Sequence, residues 1–414
     1  MKVAILTSGF FPVVDGVSIA VFHRLRRLSQ LGYSVLVLCP DYQPIAALYP
    51  NWSQYVGEIM PGVTVRSLES APFMGLASER NVQKKSYPAL LQALSTFQPD
   101  LIHVDEPERL QLGWDRIPAI DYARQAQIPC VSFLHTDFIG YLEDYFAFPT
   151  PVIRLMQAIS RRIVARIYNA YDATLVSGAM VCRQAAQMGI RNAIQTELLG
   201  VDLAQYDLGL RQPDFFARRY QMPELDTKLK LLFLGRLTPD KGWKFTIAAL
   251  SQMAQKPQYR SLFAQIGLII AGSGAMQAEI DRSLQHLPCP IRFLGQVDPM
   301  EVPALLINSD LHLTTSEKET RGLTLLEAMA AGIPVLAPRA GGIPDTVQPD
   351  QTGLLFQPRN IQDFATQLQR LTSQPALRQH LGATARQQAA HLDWSAAVDR
   401  LIQIWQQVSL SVQT

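Results

Sequence analysis

Short apolar runs rich in Val, Ile and Leu alternate with helical patterns along this chain, and the series occurs twice. In the first half VAIL (3–6), VLVL (35–38), LIHV (101–104), VSFLH (131–135) and TLVS (174–177) read as strands. In the second half the strands are KLLFLG (230–235), GLIIAG (267–272), IRFLG (291–295), LHLTTS (311–316) and PVLAP (334–338). Runs that are continuously apolar belong to strands buried on both faces, as in a mostly parallel sheet covered by helices on either side. Between the first two strands Val17, Val21, Leu25 and Leu28 recur at helical spacing, and Gly32 stands where a C-cap glycine belongs. The expected fold class is α/β, with two Rossmann-like doubly wound lobes.

A length of 414 residues suits two domains of roughly 100 to 200 residues each. The polar stretch GVDLAQYDLGLRQPD (200–214) lacks periodicity and precedes the second strand series, so a hinge is expected there. The expected organisation is an N-terminal lobe over 1–199, a C-terminal lobe over 200–393, and a final helix over 394–414 that crosses back to the first lobe. Doubly wound lobes bind ligands beyond the carboxyl ends of their strands, so two facing lobes would hold a ligand in the cleft between them. Chemistry is therefore sought in the loops that follow strands.

Composition narrows the function. Hydrophobic residues make up 48% of the chain and charged residues 17%, enough to bury a large core. A net charge of +2 lacks the concentrated basic footprint of a nucleic-acid binder. Cys39, Cys130, Cys182 and Cys289 are widely spaced and form no CxxC pair, which argues against a zinc site or disulfide framework and fits a reducing cytoplasm. Gly9, Pro12 and Asp15 interrupt the N-terminal apolar run before a signal-peptide core could form. No stretch reaches the roughly 20 apolar residues needed to span a bilayer, so any membrane contact would be peripheral.

Two segments of the second half carry charge in post-strand loops. In GRLTPDKGW, Arg236 and Lys241 follow a strand, where a guanidinium and an ammonium can neutralise a diphosphate; a solvated loop is the plain alternative. In SEKETRGLTLLEAMAAGIPV, Glu319 lies in a loop, Gly322 opens a helix and Glu327 follows on it. The free amides and positive dipole end at Gly322, Leu323 and Thr324 suit a phosphate. With Glu319 outside the helix, both carboxylates could address one extended ligand; helix capping and surface exposure are the alternative for an isolated pair of acids.

Four blocks in order, FPVVDGVS (11–18), HTDF (135–138), GRLTPDKGW (235–243) and SEKETRGLTLLEAMAAGIPV (316–335), make the chain resemble the retaining glycosyltransferases of family 4, which have the GT-B fold of two lobes facing across a cleft. The resemblance spans both lobes. It implies that Gly16 lies against the donor diphosphate, that Arg236 and Lys241 bind its charge, that Glu319 contacts the sugar hydroxyls, and that Glu327 holds the ribose. It places His135 near the donor sugar and the reacting centre, with His135 and Glu319 the catalytic pair. It also implies retention of configuration. Arg321 departs from the family's usual aromatic, proline or small residue, and is expected to point to solvent unless it contacts a phosphate or an acidic donor. No Asp-x-Asp motif is present, so no metal and no cofactor beyond a UDP- or GDP-linked sugar is expected. The base is expected near FLGQV (293–297).

For the acceptor, the segment after HTDF becomes a basic amphipathic pattern. Val152, Leu155, Met156, Ile159, Ile163 and Ile167 share one side, and Arg154, Arg161, Arg162 and Arg166 supply charge. Such a helix suits an anionic membrane face and a lipid acceptor; packing on the first lobe's sheet is the alternative. HTDF followed by YLEDY also looks like glycolipid-forming members such as sulfoquinovosyl and phosphatidylinositol mannosyl transferases. The expected partners are thus a nucleotide sugar and a hydroxyl acceptor, a lipid such as a diacylglycerol, on the cytoplasmic membrane face. A soluble sugar or polyol acceptor is the main enzymatic alternative, a GT-B enzyme of another class such as a nucleotide-sugar epimerase or a phosphorylase the second, and an inactive nucleotide-sugar-binding protein the non-enzymatic one.

Overall fold

Val3 to Leu6 and Val35 to Leu38 are buried without interruption, and their side chains divide between two cores. Val3, Ile5, Val35 and Val37 join one cluster, while Ala4, Leu6, Leu36 and Leu38 join another on the opposite face. This is the period-two alternation of a strand whose two faces are both covered. The computed structural model describes every residue except Met74, Gly75, Asp137 and Thr414, so Asp137 of the HTDF block lies outside the described residues.

The chain divides into two compact units. The first holds Met1–Ile139, Pro149–Leu199 and the segment from Trp394 onward; the second holds Gly140–Phe148 and Gly200–Asp393. Residues 140–148, which the 1–199 boundary assigns to the first lobe, thus pack with the second. The physical reason is charge. Lys318 pairs with Glu143 at 3.1 Å and with Asp144, Arg359 bonds Glu143 at 2.9 Å, and the Tyr145 hydroxyl donates to Asp240 at 2.8 Å.

Among the described residues, the first unit carries an eight-stranded sheet in the spatial order Ala193–Gln195, Ala173–Val176, Cys130–Leu134, Leu101–Asp105, Lys2–Thr7, Ser34–Pro40, Val63–Leu68, Gly57–Met60. Neighbours are parallel except the last pair. The helix Gly16–Gln30 covers one face together with the helix Trp394–Gln413, whose Val398, Leu401, Ile402, Trp405 and Val408 enter that core. Arg27 clamps Asp399 with bonds of 3.0 and 2.9 Å, and His23 stacks on Trp394 with ring centroids 4.6 Å apart.

The second unit carries a six-stranded parallel sheet among the described residues, in the order Ile291–Gly295, Ile266–Ala271, Leu229–Leu234, Leu311–Leu313, Val335–Pro338, Gly353–Phe356. Both sheets start in the middle and grow outward in two directions. The topological switch point falls between Lys2–Thr7 and Leu101–Asp105 in the first unit, and between Leu229–Leu234 and Leu311–Leu313 in the second. Loops leaving these four strands part to opposite sides there, which opens a crevice at their carboxyl ends.

The basic amphipathic segment forms the helix Thr150–Tyr168. Its buried residues are Ile153, Ala165, Ile167 and Tyr168, whereas Val152, Leu155, Ile159 and Ile163 are 42, 62, 52 and 49% exposed. Of the apolar side expected from spacing, only Ile167 is buried in the protein and Met156 is partly so. Among the described residues, no helix is long and apolar enough to cross a membrane.

Candidate active site

In the second unit, the loops that leave the two switch-point strands bring most of the expected site residues together. Arg236 and Lys241 follow Leu229–Leu234, and Glu319, Gly322, Leu323, Thr324 and Glu327 follow Leu311–Leu313. Lys241 Nζ lies 2.7 Å from Glu319 Oε1. Both cations also face the buried Asp240: its Oδ2 is 3.8 Å from Arg236 Nη2 and 3.9 Å from Lys241 Nζ. Burial raises the Asp240 carboxyl, but Lys241 and Arg236, aided by the Tyr145 hydroxyl, hold it below the usual carboxylate range. An ionised Asp240 beneath two partly exposed cations orients them without occupying their outer faces.

Gly322 caps the helix Leu323–Ala330 with φ of +73°, and a Cβ there would meet Leu325 Cδ1 at 2.6 Å, so a side chain is refused on both counts. The amides of Leu323 and Thr324, in the first turn, have no partner within the helix. The Thr324 side chain is pinned from below. His312 donates from Nδ1 to the Leu232 carbonyl at 3.1 Å, which leaves Nε2 to accept from Thr324 Oγ1 at 3.3 Å. Burial lowers His312 to about 4, so the ring is neutral and this tautomer is the one present.

Glu327 stands on the second turn of that helix, and loss of solvent pushes its carboxyl up to about 8. Tyr206 is buried nearby, its hydroxyl raised well above its usual range by burial and by Glu327. The backbone of Glu319 and Thr320 rests on Gly341 and Gly342: the Gly342 amide donates to the Glu319 carbonyl at 2.7 Å, and a Cβ on Gly342 would sit 1.7 Å from the Thr320 carbonyl oxygen. Arg321 does not point to solvent as expected. It is buried and its Nη1 donates to the Asp345 carbonyl at 2.9 Å, near the end of the short helix Ile343–Thr346. An exposed main-chain carbonyl at a helix end attracts a guanidinium.

Gly16 and His135 belong to the first unit. Gly16 is the first residue of the helix Gly16–Gln30, behind a capping box in which Ser18 N donates to Asp15 Oδ1 at 2.8 Å and Asp15 N to Ser18 Oγ at 2.9 Å. Gly16 is exposed, and nothing in the protein stands within 4 Å of where its Cβ would be. His135 follows the strand Cys130–Leu134; its Nε2 lies 2.7 Å from Asp105 Oδ1 and its ring rests against Phe133 with centroids 3.8 Å apart.

Asp105 ends a switch-point strand and is fully buried. Arg24 grips it with contacts of 2.9, 3.2 and 3.2 Å, and His103 Nε2 approaches at 3.3 Å. Burial alone would raise its carboxyl, but Arg24, then His103 and His135, hold it well below the usual range. The next residue, Glu106, has φ of +50° and accepts hydrogen bonds from Ser8 and Thr136, joining the loops of three strands. Asp105, Glu106, Tyr145, Asp240 and the Gly341–Gly342 pair are absent from the sequence-derived site. Asp105 and Glu106 had a signal, the acid pair in VDEP directly after an apolar strand; Tyr145, some 95 positions from Asp240 in the chain, had none.

Two family models match the chain: Glycosyltransferase Family 4 over residues 14–205 and Glycosyl transferases group 1 over residues 216–388. Among curated proteins, the chain is 28% identical over 321 residues to the sulfoquinovosyl transferase SQD2 of Arabidopsis thaliana, covering 76% of this chain and 58% of that protein, and so spans less than two thirds of that relative's length. It is 28% identical over 407 residues to a GDP-mannose-dependent alpha-mannosyltransferase of Mycolicibacterium smegmatis, covering 97% of this chain and 96% of the relative. Among solved structures, sucrose-phosphate synthase from Thermosynechococcus elongatus superposes with a TM-score of 0.77 at 21% identity, over 99% of each chain. At that identity the likeness is one of fold, and the fold is GT-B.

Proposed function

Because the chain belongs to the group 1 and family 4 glycosyltransferases, we propose that it moves a hexosyl group, with retention of configuration, from a nucleotide-diphosphate sugar to a hydroxyl of a membrane lipid. The observation that carries the donor half is the convergence of Arg236, Lys241 and the Gly322–Thr324 helix start at one switch point. Two cations and a helix N-terminus supply fixed positive potential where a diphosphate would depart as the leaving group. No metal or other cofactor is needed for that neutralisation. Glu319, anchored by Lys241, offers acceptor oxygens to sugar hydroxyls. Glu327, raised to about 8, keeps its proton at neutral pH and can both donate to and accept from the ribose hydroxyls.

In the transfer step the acceptor oxygen bonds the anomeric carbon on the face from which the phosphate oxygen leaves. The acceptor's proton passes to that phosphate oxygen, so the nucleotide diphosphate leaves protonated and charge balances. We assign His135, steadied by Asp105, and Gly16, with its uncrowded backbone, as the first unit's contribution to the reaction. The Arg321 guanidinium is engaged by the Asp345 carbonyl through Nη1.

A lipid acceptor is favoured over a soluble one by the helix Thr150–Tyr168. Val152, Leu155, Ile159 and Ile163 form one exposed stripe, and Arg162 and Arg166 flank it at three-residue spacing from Ile159 and Ile163. An apolar stripe bordered by cations suits the boundary of an anionic bilayer. The sulfoquinovosyl transferase among the relatives is in keeping with a hexose-type donor.

Calorimetric titration with UDP- and GDP-sugars, followed by mass spectrometry of products from lipid extracts and from soluble sugars and polyols, tests the proposal. Donor binding that is lost in Lys241→Ala, with product in the lipid fraction, is the expected result. Absence of donor binding refutes the transferase reading, and product confined to soluble acceptors refutes the lipid.

A further inference from the structure

We propose that His103 and Trp405 are positioning residues for His135: the Trp405 indole fixes which nitrogen of His103 carries the proton, and His103 in turn orients the Asp105 carboxylate that grips the His135 ring. This rests on the reading of His135 as part of the reaction.

The chain of bonds lies within the first unit. Trp405 Nε1, on the terminal helix, stands 3.2 Å from His103 Nδ1. An indole nitrogen can only donate, so Nδ1 must present a lone pair and the ring proton must sit on Nε2. That nitrogen is 3.3 Å from Asp105 Oδ1, where its N–H donates to the carboxylate. The opposite tautomer would oppose N–H to N–H at Trp405 and a lone pair to a carboxylate oxygen at Asp105. Burial and the facing Arg24 lower His103 to about 4, so the ring is neutral and has a tautomer to choose.

Asp105 Oδ1 is shared: it also receives the Arg24 guanidinium at 3.2 Å and His135 Nε2 at 2.7 Å. Its direction therefore depends on every donor around it. His103, Asp105 and Trp405 are all fully buried, so solvent cannot replace a missing member. A histidine in the middle of a buried strand that spends both ring nitrogens on side chains, one of them 302 positions away, is more than filling. The terminal helix thus reaches His135 through two buried groups, in addition to covering the sheet.

The test uses the full chain with selectively 15N-labelled histidine. In the unmodified protein the His103 nitrogens should show the Nε2–H tautomer alone, and Trp405→Phe, which leaves only the Asp105 carboxylate to select the proton's position, should admit a detectable share of the Nδ1–H form. In kinetics, Trp405→Phe should lower kcat about tenfold, ~1.4 kcal/mol, with the donor KM unchanged. His103→Gln, whose amide still donates toward Asp105, should keep most activity, and His103→Leu should not. An amide has no tautomer to lose, so Trp405→Phe placed in the His103→Gln background should change kcat by less than about twofold.

Equal losses from Trp405→Phe in both backgrounds would mean a merely structural role and overturn the proposal. So would a His103 spectrum that remains purely Nε2–H without the indole. If Trp405→Phe does not fold, equal kcat in His103→Gln and His103→Leu overturns it instead. Should no donor binding and no sugar transfer be found, it is the transferase reading that fails, and the imidazole spectrum still decides whether the indole governs His103.

Discussion

Replacing Leu155 and Ile159 by serine separates membrane docking from internal packing. The two side chains are 62 and 52% exposed, so each has more than half of its apolar surface left to bury. Taking about 2 kcal/mol for a whole Leu or Ile side chain, the pair gives up ~2.3 kcal/mol on leaving the stripe, which corresponds to roughly 50-fold weaker partitioning. Their exposure means the fold itself should change by no more than ~0.5 kcal/mol. Arg162→Gln with Arg166→Gln should cost a similar ~2 kcal/mol, at about 1 kcal/mol per cation near an anionic surface. The two losses differ in salt dependence. The arginine effect should fade in high salt, where the screening length falls to about 3 Å at 1 M, and the apolar effect should persist. Co-sedimentation with phosphatidylglycerol-containing vesicles at low and high salt measures both. Failure of the unmodified protein to bind such vesicles, or binding unaffected by the serine pair, would refute the reasoning.

In the donor site, Lys241→Ala and Glu319→Ala should each lower kcat by about 10²-fold or more while circular dichroism and melting temperature stay close to the unmodified protein; full activity in either would remove these residues from the reaction. Gly342→Ala puts a methyl group 1.7 Å from the Thr320 carbonyl oxygen, so the loop bearing Glu319 must shift; a loss of about 1–3 kcal/mol in stability with weaker donor binding is expected by thermal melting and calorimetry. Glu108 is pushed up to about 8 by burial while Tyr168 donates a hydrogen bond to it. Its folded-state value lies above the unfolded one, so folding takes up a proton and stability falls as pH rises from about 4.5 toward 8. Glu108→Gln should flatten that slope in melting curves, by on the order of a few kcal/mol across the range; an unchanged slope would contradict it.

Strands buried on both faces announce themselves as apolar runs, and for this reason most central strands were legible to within a residue or two: VLVL lies inside Ser34–Pro40 and GLIIAG overlaps Ile266–Ala271, whereas LHLTTS runs three residues past Leu311–Leu313. The segment 57–82 was not, because its antiparallel strands Gly57–Met60, Ser70–Phe73 and Leu76–Val82 lie at a sheet edge or outside it and mix polar with apolar residues. At the site, residues that serve in one local motif were readable. Lys241 and Glu319 each stand in a recognisable block, although their 2.7 Å pairing joins positions 78 apart. Partners defined only in space were not readable. Nothing local to Tyr145 marks it as a ligand of Asp240, and nothing near Trp405 points to His103. The burial of Arg321 was missed because a charged residue beside a loop glycine reads as solvated until the carbonyl of Asp345 is seen to meet it.

The return of residues 394–413 to the first unit has a consequence for biosynthesis. Val398, Leu401 and Trp405 complete a core whose other members, among them Val3, Ile5 and Val37, are translated first. Everything the second unit needs, from Gly140–Phe148 through Asp393, is made before the terminal helix emerges. The order of completion therefore reverses the usual vectorial one: the earliest-made sheet waits with one apolar face covered only in part, by Gly16–Gln30, while the later unit closes. A chain that stalls after residue 393 would leave exposed the part of that face which Val398, Leu401 and Trp405 cover, making such products natural clients of chaperones and proteases.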